Sequence, residues 1–169
     1  DEGCGTKIYC IGPSASYTPP SGPSYVNQFA PYPTLTAAVA ALNGFAATEP
    51  YIFEFQLNYT GSGEAVPLSI TYQGNSSATA VFRPRSDQAS MLTIAGDAGA
   101  AIRLIYFNGA DYITFDGSAG GTMGTDSKIL IRNTRNSTNA GRNIEFINDA
   151  THNTLNALTV EGGYNAVAC

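Results

Sequence analysis

The pattern of apolar and polar residues changes once along the chain, near Gly44. After this residue, apolar side chains recur at every second position in short runs, which is typical of β-strands with one buried face. Gly, Asn, Asp and Ser bound each run, as expected for turns. The pattern predicts nine strands: YIFEFQ (51–56), PLSITY (67–72), TAVFR (79–83), MLTIAG (91–96), AIRLIYF (101–107), DYITFDG (111–117), KILIRN (128–133), NIEFIN (143–148) and NALTVEG (156–162).

The segment before this change has a helical period instead. Apolar residues recur at helical spacing from Leu35 to Leu42, Thr34 or Thr36 can serve as the N-cap, and an Asn-Gly pair follows. These features predict one short amphipathic helix over residues 34–43.

Most of the prolines lie in residues 11–34, which predicts an extended and irregular segment. We therefore expect two parts in the chain. Residues 1–33 form a Pro-rich leader, and residues 34–169 form a β-rich domain that includes the helix.

The nine predicted strands repeat in groups of three. Nine short strands also suit a β-sandwich, but the same order of strand types recurs in three successive groups, which favours a repeat fold. The first column holds 51–56, 91–96 and 128–133, the second 67–72, 101–107 and 143–148, and the third 79–83, 111–117 and 156–162. Strands stacked about 4.8 Å apart make each column a parallel sheet. The sequence therefore predicts an all-β fold, a right-handed parallel β-helix of about three coils with three strands per coil.

The alternation also predicts which side chains point into the core. In the second column the inward pairs are Leu68/Ile70, Ile102/Leu104 and Ile144/Phe146, and in the third column they are Ala80/Phe82, Ile113/Phe115 and Leu158/Val160. Stacked pairs of this kind form continuous apolar rows between coils.

The two ends of the predicted stack differ. The helix at 34–43 is expected to cover the N-terminal end, where unpaired strand edges would otherwise promote aggregation. Residues 162–169 begin a fourth coil with no visible cap. Two alternatives follow: the chain is a fragment of a longer β-helix, or copies of it assemble end to end into a fibre or other homo-oligomer.

Composition narrows the functional classes. Only 12% of the residues are charged and the net charge is −5, so the basic clusters that bind nucleic acid are absent. No apolar run approaches the roughly 18 residues of a membrane span. One histidine and no CxxC pair supply too few ligands for a zinc site, and no phosphate-binding loop or other cofactor motif is present, so we expect no metal and no cofactor.

The three cysteines are Cys4, Cys10 and Cys169. Cys4 and Cys10 bracket five residues, so a disulfide between them can close a small loop, and such a bridge would indicate an oxidising compartment. Two reduced thiols are the alternative. Cys169 is then unpaired within the chain or forms an intermolecular bond.

Four runs resemble the parallel β-helix regions of large secreted bacterial surface proteins, which are often exported by the type IX route. The runs are YPTLTAAVAALN (32–43), NGADYITFDGSAGGT (108–122), ILIRNT (129–134) and FINDATHNTLNALTV (146–160). The resemblance implies a β-helix in a secreted, cell-surface protein with an adhesive or surface-layer role. It does not imply an activity, because this fold carries both enzymes and inert proteins.

One group of polar residues is a candidate for chemistry. Arg83, Asp116 and Glu161 follow the last inward residue of the third-column strands, so they are expected to stack on adjacent coils. Two carboxylates about 5 Å apart suit a retaining glycosidase or a calcium site. The alternative is an exposed ladder of ion pairs, which the mixture of charges favours. A similar outward row is expected in the second column, at Ser69, Arg103 and Glu145.

Other candidate sites are weaker. Asn58, Asn75 and Asn136 match the N-glycosylation pattern and lie in predicted turns. Tyr112 is predicted to be exposed, where its ring can stack on a sugar. His152 is predicted to be a solvated turn histidine. Together these features predict a non-catalytic structural or adhesive surface module. The alternatives are a carbohydrate-active or glycan-binding β-helix and a self-assembling fibre subunit.

Overall fold

The computed structural model describes residues 7–14, 18–22, 24–97, 99, 103–135 and 141–162. These ranges contain eleven strands and one α-helix, and all pairing between the strands is parallel. The strands are β1 (Lys7–Ile11), β2 (Tyr51–Phe55), β3 (Leu68–Ile70), β4 (Ala80–Pro84), β5 (Leu92–Gly96), β6 (Arg103–Asn108), β7 (Ile113–Asp116), β8 (Ile129–Asn133), β9 (Arg142–Ile147), β10 (Thr154–Asn156) and β11 (Leu158–Glu161), and the helix is α1 (Leu35–Leu42).

The strands form three parallel sheets. Sheet A has the order β1-β2-β4-β7-β10, sheet B the order β5-β8-β11, and sheet C the order β3-β6-β9. From β4 onward the chain visits the sheets in the fixed order A, B, C, and each strand from β6 onward pairs with the strand three before it. We call one such circuit a pass. The prediction of a β-rich chain with parallel sheets and little helix is confirmed.

Two strands lie in a different sheet from the one predicted. YIFEFQ forms β2, which pairs with β4 in sheet A rather than aligning with β5 and β8. Residues 56–67 contain no strand, so this pass has no member in sheet B. NALTVEG forms β11, which pairs with β8 in sheet B, and the short strand β10 takes the predicted place in sheet A. The predicted assignment of strands to columns was therefore wrong for the first and the last of the nine predicted strands.

The register in sheet C also differs from the prediction, by three residues. Leu68 pairs with Ile105 and Ile70 with Phe107, so Ile105 and Phe107 continue the inward row. The predicted pair was Ile102 and Leu104. Ile102 lies outside the described residues, and Leu104 is buried but out of this row. Apolar residues occupy both alternations of this strand, so its pattern did not define one face.

The core contains a column of aromatic rings along sheet A. Tyr9, Phe53, Phe82 and Phe115 occupy one register position, and successive ring centroids lie 5.4, 4.9 and 4.6 Å apart. Parallel strands in register place equivalent side chains one strand spacing apart, which brings planar rings into offset stacking contact. The column joins the leader residue Tyr9 to the same core as the later strands.

The N-terminal end of the stack is covered on all three sheets. Helix α1 lies on sheet C, where the Asn43 side chain hydrogen-bonds the backbone of β3 as a neighbouring strand would. Residues 24–32 pair with the outer edge of β1 in sheet A, a strand that the Pro-rich composition of the leader did not predict. In sheet B, the backbone of Gly61 lies close against the carbonyl of Thr93 in β5.

A carboxylate from a distant loop completes the N-terminus of α1. Thr34 is the N-cap and its hydroxyl accepts from the Ala37 amide at 3.1 Å. The Glu64 carboxylate accepts from the amides of Leu35 and Thr36 at 2.7 and 2.8 Å. These bonds satisfy amides that a helix leaves unpaired, and the negative charge lies at the positive end of the helix dipole. The Glu64 carboxylate therefore attaches the N-terminus of α1 to the segment that precedes β3.

The other end of the stack exposes apolar side chains. Phe146 of β9, Leu155 of β10 and Val160 of β11 are 45%, 40% and 48% exposed. Their in-register neighbours one pass earlier, Phe107, Phe115 and Ile131, are buried. We call the three exposed residues the rim. Leu158 and Val160 were predicted as an inward pair of the third column; they continue the inward row of sheet B, and Val160 is half exposed because no described strand lies beyond it.

Candidate functional site

Five side chains occupy one register position on the outward face of sheet A. Cys10 pairs with Glu54, Glu54 with Arg83, and Asp116 with Asn156, while Arg83 and Asp116 each directly follow the paired Phe82 and Phe115. We call these five residues the polar row. Two of the three predicted site residues, Arg83 and Asp116, lie in it. Glu54 and Asn156 were missed because β2 and β10 were not assigned to this sheet.

The polar row is covered by two segments of the chain. The Tyr25 hydroxyl donates to Glu54 Oε1 at 3.0 Å, and the Asn27 side chain hydrogen-bonds the backbone of Cys10. At the other end, a 3-10 turn at Ala119–Gly121 lies over Arg83, whose Nη1 donates to the Gly120 carbonyl at 3.0 Å. The row is therefore an internal polar layer rather than an open ligand-binding face.

The first half of the layer is a buried ion pair. Arg83 Nη2 lies 3.0 Å from Glu54 Oε2, and the Glu54 side chain is only 3% exposed. Gln56 Nε2 donates a further, longer bond to Glu54 Oε1 at 3.3 Å. A carboxylate removed from water requires such partners, because desolvation of an unpaired charge costs several kcal/mol. The Arg83 guanidinium and the Glu54 carboxylate therefore compensate each other's charge.

The second half is organised by Asp116, which is 1% exposed. Its carboxylate accepts from the Ser118 amide and hydroxyl at 3.0 and 2.7 Å, from the Met123 amide at 2.7 Å and from Asn156 Nδ2 at 3.0 Å. Burial raises the pKa of Asp116, but these hydrogen bonds outweigh it and hold the pKa below its ordinary value of 3.8. Asp116 is an ionised anchor for the loop that follows β7.

We expect Asp116→Asn to lower the free energy of unfolding by about 1–3 kcal/mol, because an amide cannot accept all four of these hydrogen bonds. A lowered pKa stabilises the fold above the unfolded pKa near 4, and this contribution is lost as the pH falls through the folded value. The difference between the native chain and the variant should therefore shrink from pH 7 to pH 3. Urea unfolding at both pH values measures it, and a difference independent of pH would contradict this role.

Glu161 does not join the other two candidates. It lies in sheet B, where it pairs with Arg132, and its Oε2 is 2.7 Å from Arg132 Nη2. The expected row of Arg83, Asp116 and Glu161 is therefore wrong, because β11 belongs to a different sheet. The paired carboxylates proposed for a retaining glycosidase or a calcium ion are not brought together. Over the described ranges, no group of three or more His, Cys, Asp or Glu side chains is placed to hold a metal ion.

The second predicted row is partly reproduced. Ser69 aligns with Tyr106 and Glu145 across sheet C, whereas Arg103 aligns with Arg142. The three-residue difference in register explains why Tyr106 takes the place predicted for Arg103. Glu145 still bridges both arginines, at 3.1 Å from Arg103 Nε and 2.8 Å from Arg142 Nη1. The outer face of sheet C thus carries a cluster of ion pairs.

The turn from sheet C to sheet A repeats in two passes. Tyr112 and His152 occupy equivalent positions, both with positive φ (59° and 54°), and their rings stack with centroids 4.5 Å apart and planes inclined by 2°. One face of the Tyr112 ring is therefore covered by His152 and not offered to a sugar. His152 itself is exposed, and its Nδ1 lies 3.0 Å from the Thr151 hydroxyl.

The remaining predicted sites are only partly within the described residues. Cys10 is buried and forms no disulfide with any described residue, and burial raises the pKa of its thiol to about 12. Cys4 and Cys169 lie outside the described residues, so disulfide formation stays a prediction. Asn75 is exposed in a turn and its Nδ2 donates to the Ala47 carbonyl at 3.1 Å, whereas the Asn58 side chain is part-buried and its Nδ2 donates to the Pro13 carbonyl at 2.8 Å. Asn136 also lies outside the described residues.

Comparisons with known proteins do not assign a family. No family model, curated protein or solved structure matches this chain. In the part of the chain that the structure describes, no helix has the length and apolarity needed to cross a membrane. A functional argument therefore rests on the residues and contacts above.

Proposed function

We propose that this chain is a non-catalytic structural module of a secreted surface protein, in which the three sheets are the faces of a right-handed parallel β-helix. The observation that carries the proposal is the polar row. Its charged members, Glu54, Arg83 and Asp116, are paired with each other or with covering loops. Groups held in this way maintain the fold and are not poised to bind and transform a substrate.

The order of the strands supports the β-helix. The chain passes from sheet A to sheet B to sheet C repeatedly, and each pass places its strands in parallel register beside those of the pass before. Repeats that contact only their neighbours are typical of solenoid proteins, which tolerate long turns between regular strands. Between sheet A and sheet B the chain spans residues 85–91 in one pass and 117–128 in the next, and the inward rows continue through both passes.

The secreted, surface location and the adhesive role rest on the resemblance to β-helix regions of bacterial surface proteins and on the low content of charged residues. An elongated stack with few charges suits a spacer or adhesive stalk. Assembly of copies end to end into a fibre is less well supported, because such assembly joins two different ends of the same chain. Helix α1 and residues 24–32 already occupy one of those ends.

The test of this proposal is an activity panel. The native chain, Glu161→Gln and Asp116→Asn should be incubated with neutral, acidic and sulfated polysaccharides between pH 5 and pH 8, with release of reducing ends and of unsaturated products as readouts. We expect no release above that of the heat-denatured chain. Product formation that Asp116→Asn abolishes would overturn the proposal, provided that circular dichroism shows this variant to be folded. Glu161→Gln serves as the control, since its exposed ion pair contributes little to the fold.

A further inference from the structure

We infer that the rim, Phe146, Leu155 and Val160, is the docking surface for one further parallel coil that continues the strand order after β11. This inference rests on the proposed β-helix and deepens it by naming what the open end binds. The occupant is a segment of three extended strands with apolar residues at alternate positions. It adds one strand to each of the three sheets.

The first argument is the continuity of the inward rows. Each rim residue stands directly above a buried residue of the preceding pass, and the Phe107 and Phe146 rings stack at 4.6 Å with planes inclined by 21°. The equivalent ring contact in sheet A, between Phe82 and Phe115, is formed by two buried side chains. The rim therefore has the geometry of an interface between coils with one of its two coils missing from the described residues.

The second argument is the backbone. Strands β9, β10 and β11 each have one described neighbour, on the side of the preceding pass. Their outer edges present amide and carbonyl groups that parallel strands in register would pair. Apolar side chains and unpaired strand edges at one surface specify strand addition rather than a small ligand.

The third argument concerns the source of the occupant. A second copy cannot supply parallel strands by its N-terminal end, because α1, residues 24–32 and Gly61 cover the three sheets there. Its other end could meet the rim only tail to tail, with strands antiparallel. A coil that continues from β11 has the correct polarity and the next sheet in the chain order is sheet C, the sheet of Phe146.

The experiment adds such a coil to the full chain. A copy of residues 142–162, which carries β9, β10 and β11, is appended directly after Cys169. Residues 162–169 then form the connection, and they match in length the connection 134–141 between β8 and β9. In the matched control, the appended copies of the apolar residues at positions 144, 146, 155, 158 and 160 are replaced by serine.

We expect the appended coil to raise the thermal unfolding midpoint by about 5 °C or more, whereas the serine control does not. Phe146→Ala should lower the midpoint more in the extended chain than in the unextended one, because only there is the ring buried. If the extended chain aggregates, residues 142–162 added as a separate peptide provide the same test, because this peptide and not its serine counterpart should raise the midpoint of the unextended chain.

Two results would overturn the inference. One is an extended chain or peptide complex with the same midpoint as the serine control. The other is a discrete dimer of the unextended chain in sedimentation velocity that Phe146→Lys dissociates, which would make a second copy the occupant. Neither result bears on the structural role, since that role fails only if the chain transforms a substrate.

Discussion

Replacing Phe82 by alanine is expected to lower the free energy of unfolding by about 3–5 kcal/mol. The ring is fully buried at the middle of the aromatic column, with Phe53 at 4.9 Å and Phe115 at 4.6 Å. Its loss removes apolar burial, leaves a cavity between two parallel rings and interrupts stacking on both faces. Because β2, β4 and β7 meet there, the flanking strands cannot close the gap without breaking their hydrogen bonds.

Phe29→Ala is the matched control for this substitution, because the same side chain is 78% exposed on the segment that covers β1. We expect it to change the free energy of unfolding by no more than about 0.5 kcal/mol. Urea unfolding followed by circular dichroism measures both variants. A loss below about 1.5 kcal/mol for Phe82→Ala would mean that the column does not contribute to the core as the ring contacts indicate.

Replacing Arg83 by methionine is expected to lower the free energy of unfolding by a similar amount, about 3–5 kcal/mol. Methionine keeps the apolar stem but removes the charge opposite Glu54, which is 3% exposed and lies beneath Tyr25. The carboxylate would then be buried without its cation. Removing one partner of a buried ion pair lowers the free energy of unfolding by more than the intact pair contributes to it.

The double variant Glu54→Leu/Arg83→Met separates these two effects. We expect it to recover at least half of the lost stability, because no unpaired charge remains in the layer. Arg132→Met is the control. It breaks the exposed pair with Glu161, in which both side chains are nearly half exposed, and should cost about 0–1 kcal/mol. Equal losses for Arg83→Met and Arg132→Met in urea unfolding would contradict a buried layer.

The positions of the strands could be predicted from sequence because alternation is a local signal. Each of the nine predicted runs overlaps an observed strand, and the predicted helix is α1. The assignment of strands to sheets is not local. It failed at YIFEFQ because residues 56–67 contribute no strand, and at NALTVEG because the three-residue strand β10 precedes it after a turn with positive φ at His152.

In the candidate site, too, the residues fixed by local alternation were predictable, whereas the contacts made by irregular segments were not. Arg83 and Asp116 were found because each directly follows an inward phenylalanine, and this relation fixes their place on the outward face. Had β2 been aligned with β4 by its own phenylalanine, Glu54 would have been placed beside Arg83. The covering contacts of Tyr25 and Gly120 depend on how irregular segments fold back, and no periodic pattern encodes that.

The difference between the covered start and the apolar rim gives the folding of this chain a direction. Strands β7 to β11 each pair with a strand that precedes them in the sequence, so an early pass has its partners before later residues are needed. Such nearest-neighbour pairing lets order spread along the chain with modest loop-closure entropy at each step. A chain interrupted after any pass would then expose one apolar end surface of nearly constant size. Its aggregation hazard during synthesis therefore does not grow as the stack lengthens.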